Sequence, residues 1–122
     1  MRLTEHFVSS EFACHDGSVA PARYLRWARV LCERYLEPLR SEFGPVTIIS
    51  GFRTATHNAD VGGAPKSYHR SLKGRRGAAA DLQCDRGTPE QWYAFLDELG
   101  VPGLGLAGQS VHADNRAGHA RW

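Results

Sequence analysis

The chain has 122 residues, 42% of them hydrophobic, and a formal net charge of +2. That length holds one domain with a single hydrophobic core, and no apolar run approaches the ~20 residues of a membrane-spanning helix. So small a charge does not by itself argue for nucleic acid, although a pI near 8.6 suits work against an anionic surface.

In chain order, Met1 to His6 lack the apolar core of a signal peptide, so the chain is expected in the cytoplasm until a separate route releases or delivers it. Ser9-Ser10-Glu11-Phe12 reads as a short capped turn with Phe12 buried, ending at the Asp16-Gly17 turn. Pro21 suits the first position of a long helix to about Phe43, with Leu25, Ala28, Leu31, Tyr35, Leu36, Leu39 and Phe43 recurring at three and four. Pro38 interrupts that pattern and predicts a kink or break just before it. Val46 to Ser50, β-branched and bounded by Gly-Pro and Gly51, reads as a buried strand. Thr54 caps a short helix through Val61, and Gly62 to Pro65 are loop. Ala79 to Cys84 is a second strand with Asp81 and Gln83 on one face. Thr88-Pro89-Glu90-Gln91 is a capping box opening a helix that sends Trp92, Phe95, Leu96 and Leu99 to the core. Val101 to Ala107 and Ser110 to Asp114 form a hairpin across Gly108-Gln109, with His112 and Asp114 on one face. The order of elements indicates an α+β domain with a small sheet. Cys14, Cys32 and Cys84 are odd in number and widely spaced, which favours buried free thiols over a disulfide framework.

Two stretches carry the chemistry: Ser67 to Asp81, and Val111 to Asp114. His69, Asp81 and His112 are the donor types of a hydrolytic zinc site, in which imidazole nitrogen and carboxylate oxygen bind at about 2 Å and a fourth position stays open. A carboxylate on a strand beside three alanines needs a partner if it is buried, and a metal or a loop arginine would serve Asp81. His57 reads as a surface or supporting residue. Lys66, Arg70, Lys73, Arg75 and Arg76, with no acid between Val61 and Ala80, form a solvated loop or a patch for anionic polymers or nucleic-acid phosphate. Trp27, Trp92 and Trp122 lie outside that loop and fit the core or its edge better than a base-stacking platform.

The run Ser50-Gly51-Phe52-Arg53-Thr54, then His57-Asn58, Val61-Gly62-Gly63-Ala64-Pro65, Ser67-x-His69, Gly77-x-Ala79-x-Asp81, Val111-His112-x-Asp114-Asn115-Arg116 and Arg121-Trp122 resembles the zinc D-alanyl-D-alanine carboxypeptidases and related murein endopeptidases. The likeness is greatest to the short single-domain members of bacteria and their phages, and Glu5-His6-Phe7, Ser10-Glu11-Phe12 and Cys14-x-Asp16-Gly17 extend it to the start of the chain. It implies a single domain over residues 1–122 with a Hedgehog/D-Ala-D-Ala peptidase-like fold, a small antiparallel sheet packed with helices. It also implies a monomer acting as a lysin-like hydrolase on the peptide of peptidoglycan, with one Zn²⁺ held by His69, Asp81 and His112. Arg53 takes the place of the arginine that holds substrate and stabilises the tetrahedral oxyanion, a role for which a preorganised guanidinium is suited. Asn58 and Ser67 fall where groups orient ligands or substrate.

Two positions depart from the pattern. Seven residues, Arg70 to Arg76, separate His69 from Gly77 where the family has two, an insertion that loop-closure entropy tolerates. Gln109 stands where many members place a general-base glutamate. Asp114 is left either as the base or as a carboxylate that fixes a ligand imidazole or pairs with Arg53 or Arg116. A zinc-holding domain of the same fold that binds wall peptides without cutting them is the alternative to a peptidase.

Overall fold

The computed structural model describes residues 1–122 and builds them into one α+β layer pair. A short hairpin, β1 (Arg2–Thr4) and β2 (Phe7–Val8), precedes a 3₁₀ turn at Ser9–Phe12. Helix α1 (Ala22–Leu31) passes through a π-helical stretch, Cys32–Leu36, into α2 (Glu37–Phe43), and a short α3 (Ala55–Asp60) is capped by Thr54, whose side chain accepts the His57 N–H. Pro21 is the residue just before α1 and not its first, in extended backbone with its carbonyl taking the Leu25 N–H. The π stretch is the expected disturbance before Pro38. A proline has no N–H to give and its ring crowds the carbonyl four residues back, and here the chain widens so that the Glu37 N–H reaches Cys32 O.

Strands β3 (Val46–Ser50), β4 (Ala79–Cys84), β5 (Gly103–Ala107), β6 (Ser110–Asp114) and β7 (Ala120–Arg121) form one sheet in the order β3-β4-β6-β5-β7. All neighbours are antiparallel except β5 and β7. β3 is an edge strand and not the fully buried one expected. Val46 is buried while Thr47 and Ile49 are exposed, because no further strand or layer covers that side.

Helices α1, α2 and α4 (Pro89–Leu99) cover one sheet face around a core that includes Tyr24, Leu31, Leu36, Leu82, Leu96, Leu104 and Val111. The alanines at 79 and 80 are fully buried. Having little bulk there, β4 sits close enough to α1 for the Tyr24 hydroxyl to donate to Ala79 O at 2.6 Å. Cys14, Cys32 and Cys84 are all free, the first two buried. Burial pushes the Cys84 thiol up to about 12.

The α4 capping box forms as the sequence predicts. Thr88 Oγ accepts the Gln91 N–H at 3.2 Å and the Gln91 side chain accepts the Thr88 N–H at 3.0 Å. Trp92 and Leu96 are buried, and Phe95 packs edge-on against Phe43. Leu99 is not in the core: the helix ends at once in left-handed Gly100, which leaves the last turn facing outward. Thr88→Ala should cost about 1 kcal/mol of stability, read as a melting temperature lower by a few degrees, with Thr88→Ser restoring most of it.

Candidate metal centre

Pairing of β4 with β6 sets Asp81 directly opposite His112, on the sheet face away from the helices. His69 arrives from the loop before β4. Ser67 Oγ accepts the His69 N–H at 3.2 Å, and His69 O accepts the Arg53 N–H at 2.8 Å. His69 Nε2 lies 3.2 Å and His112 Nδ1 3.1 Å from Asp81 Oδ1, and the three donor atoms all lie within 4.8 Å of one another. This is the trio expected from the sequence, brought together at the base of a cleft of about 380 Å³.

The proton positions follow from what backs each imidazole. His69 Nδ1 is 2.8 Å from Gly51 O, which can only accept, so Nδ1 carries the proton and Nε2 offers its lone pair to the cleft. His112 Nε2 is 2.7 Å from Asp114 Oδ2, which leaves Nδ1 as the atom facing His69 and Asp81. Burial pulls the His112 pKa down, but hydrogen bonds to the Asp114 and Asp81 carboxylates, which accept from the ring, outweigh it and raise the value above that of an ordinary histidine. For Asp81, burial acts to raise the pKa, yet the two histidines hold the carboxyl well below its usual range. Two oriented imidazole lone pairs and an ionised carboxylate, each backed by its own hydrogen bond, suit a zinc ion in ligand type and number.

Arg53 stands beside the trio with each guanidinium nitrogen engaged: Nε to Ser50 Oγ at 3.1 Å, Nη1 to Asn58 Oδ1 at 3.3 Å and Nη2 to Asp81 Oδ2 at 3.3 Å. Asn58 is buried and its amide also donates to Ala64 O, so it anchors the arginine to the following loop. A Cβ at Gly63 would lie 2.1 Å from Asn58 Oδ1, which explains a glycine there.

Asp114 lies behind His112 and not on the open side. Its side chain is fully buried and accepts from Arg116 Nε at 2.8 Å, Arg116 Nη2 at 2.7 Å and the Arg116 N–H at 3.1 Å, in addition to His112. Burial works to raise the carboxyl, but Arg116 and His112 keep it far below the ordinary carboxylate range. Of the two readings left open by the sequence, the one in which it fixes the ligand imidazole and pairs with Arg116 matches these contacts. Room for it comes from β5: a Cβ at the opposing Gly103 would be 2.1 Å from the carboxylate.

Trp122, expected in the core or at its edge, is half exposed and lines this cleft, its ring centroid 4.9 Å from that of His112, a place that its position in the sequence did not indicate. Backbone bonds of Trp122 N to Leu104 O and Leu106 N to Trp122 O lay it across β5, where a Cβ at Gly105 would strike the indole at 2.3 Å. Glycines 103 and 105 on one strand face were the available signal. Tyr68 and Arg116 also line the cleft, stacked with the Arg116 guanidinium 4.5 Å from the tyrosine centroid. Gln109 is exposed in the turn between β5 and β6 and takes no part in the lining. His57 faces His15 at the surface, 5.7 Å between ring centroids, outside the donor trio.

A family model described as Peptidase M15 matches residues 5–114. No curated protein matches the chain.

Proposed function

The chain belongs to the Peptidase M15 family, and on that premise we propose that it is a zinc-dependent peptidase hydrolysing the peptide stems or cross-links of bacterial peptidoglycan. The observation that carries this reading is the convergence of His69, Asp81 and His112 beside a fixed Arg53 at the base of an open cleft. When bound, zinc supplies Lewis acidity to a water or carbonyl oxygen.

The chain's own groups do the rest. Asp114 and the Gly51 carbonyl hold the two imidazoles in the tautomers that face the cleft. As a water oxygen bonds to the amide carbon, the carbonyl oxygen gains charge. Arg53, already oriented by Ser50 and Asn58, offers a cation there without reorganising, an arrangement worth several kcal/mol in comparable sites. The C–N bond then breaks and the water's proton passes to the leaving amine. Tyr68 and Trp122 form apolar walls along which a short peptide can lie. The route to the wall belongs to the same proposal: release from the cytoplasm by lysis, or delivery by a phage.

A second reading is favoured by one feature. Asp81 is the single carboxylate in the cleft lining and it belongs to the donor trio, so no free acid stands ready to take the water's proton. The chain would then hold zinc and bind wall peptides without cutting them. Digestion of purified sacculi by zinc-loaded protein separates the two, with His112→Ala as control and fragments identified by mass. Release of D-alanine or opening of a cross-link, abolished in the variant, is the expected result and names the bond. Intact sacculi with a protein carrying one zinc would establish the binding module instead.

A further inference from the structure

A second cleft, of about 280 Å³, opens between α1 and the loop inserted after His69. Its lining is Arg23, Arg26, Trp27, Gly74, Arg75 and Arg76, four guanidinia with no acidic residue. None of the four is compensated elsewhere, since the chain's arginine–carboxylate pairs involve only Arg53, Arg116 and Arg121. The inserted loop is therefore more than a solvated run: it places Arg75 and Arg76 against two arginines one turn apart on a helix.

The arrangement is built, not incidental. Arg23 holds the loop to α1 by donating to Ser71 Oγ at 2.8 Å and Ser71 O at 3.1 Å. Arg75 is fixed by donation to Ser67 O at 2.7 Å. The Trp27 backbone is tied to the start of β4 by buried Asn115, which donates to Trp27 O and accepts the Ala78 N–H, both at 2.8 Å. Burial, with Arg70 and Arg116 nearby, lowers the Arg75 pKa from its ordinary value, as expected for a guanidinium without its own anion.

The cleft also joins the metal centre. The Arg75 guanidinium is 4.0 Å from the Tyr68 ring centroid, and Tyr68 lines the metal cleft together with Lys66, Arg53 and Arg116. The two clefts thus adjoin at Tyr68, with Lys66 the one cation of the metal cleft that has no carboxylate partner. Arginine forks match the tetrahedral oxygens of phosphate, and four positive charges around one cleft are more than a single phosphate would neutralise, which favours repeated charges. A nucleic acid would need aromatic faces for its bases. Trp27 is the one aromatic residue here, and Arg76 stacks over it at 5.0 Å.

We propose that this cleft is a binding site for the phosphates of a base-free polyphosphodiester of the bacterial wall, and that it docks the metal cleft onto that wall. Binding is independent of whether the metal cleft cuts peptide, so its test needs no turnover. Poly(glycerol phosphate) is titrated into the zinc-loaded chain by calorimetry at several salt concentrations. The expected log K falls with log salt at a slope of roughly −3, about −0.7 for each of four phosphates neutralised. Arg26 and Arg76 are exposed, so Arg26→Glu with Arg76→Glu should leave melting temperature and zinc content unchanged while weakening binding at least tenfold. Lysine at both positions should restore part of the loss. Absence of binding at low salt, unchanged affinity in the double variant, or tenfold tighter binding of a single-stranded DNA of equal charge would each overturn the proposal, the last by making the cleft a nucleic-acid site.

Discussion

Asp81→Asn should leave the fold standing and abolish its response to zinc. Asp81 Oδ1 is the donor that both imidazoles face, and Oδ2 meets Arg53. The amide keeps the carboxylate's shape and can still accept from Arg53, but it gives up the only negative charge in the trio, and with it most of the attraction for a divalent cation. For the unaltered chain, zinc at a thousandfold excess over its Kd should stabilise the folded state by about 4 kcal/mol through mass action. In a domain of this size that is a rise in melting temperature on the order of 10 °C. Thermal denaturation with zinc and with chelator measures it. The variant should melt at one temperature in both and hold less than one zinc per chain. A zinc-dependent rise as large in Asp81→Asn as in the unaltered chain would remove Asp81 from the donor set.

Much of this site could be read before any fold was known, for a physical reason. Strand alternation is a local property, so Asp81 and the pair His112 and Asp114 could be given their faces from spacing alone, and β4 and β6 then set Asp81 opposite His112. The capping box of α4 is equally local. What escaped was whatever depends on distant partners. β7 is two residues long and pairs in parallel with β5, so it has no periodicity to detect, yet it lays Trp122 beside His112. β1 and β2 are too short for the same reason. The openness of β3 depends on its place at the sheet edge, which no property of Val46 to Ser50 encodes. Which way Asp114 works turns on Arg116 and on the missing side chain at Gly103, and on the direction the His112 ring is turned.

Asp114→Asn should lower zinc affinity by about 10- to 100-fold with little change of fold, because the residue acts through His112. The carboxylate takes two N–H groups of Arg116 at Oδ1, and at Oδ2 one more from Arg116 together with the His112 Nε2 proton. An amide must put its NH₂ at one of these places. At Oδ1 it would confront two donors. At Oδ2 it confronts one, and His112 can relieve the remaining conflict by shifting its proton from Nε2 to Nδ1. The cheaper orientation therefore moves the proton onto the atom that faces Asp81, where a lone pair is needed for metal. Asp114→Ala is harsher, since it leaves a buried imidazole N–H and the Arg116 guanidinium without their anion and should destabilise the fold by about 3 kcal/mol. Zinc affinity by competition with a chromophoric chelator, set beside turnover at saturating zinc, distinguishes this role from proton transfer. A positioning residue loses affinity and recovers most of its turnover when zinc is supplied in excess. A general base would keep its zinc and lose turnover, and that result would return Asp114 to the chemistry of the bond.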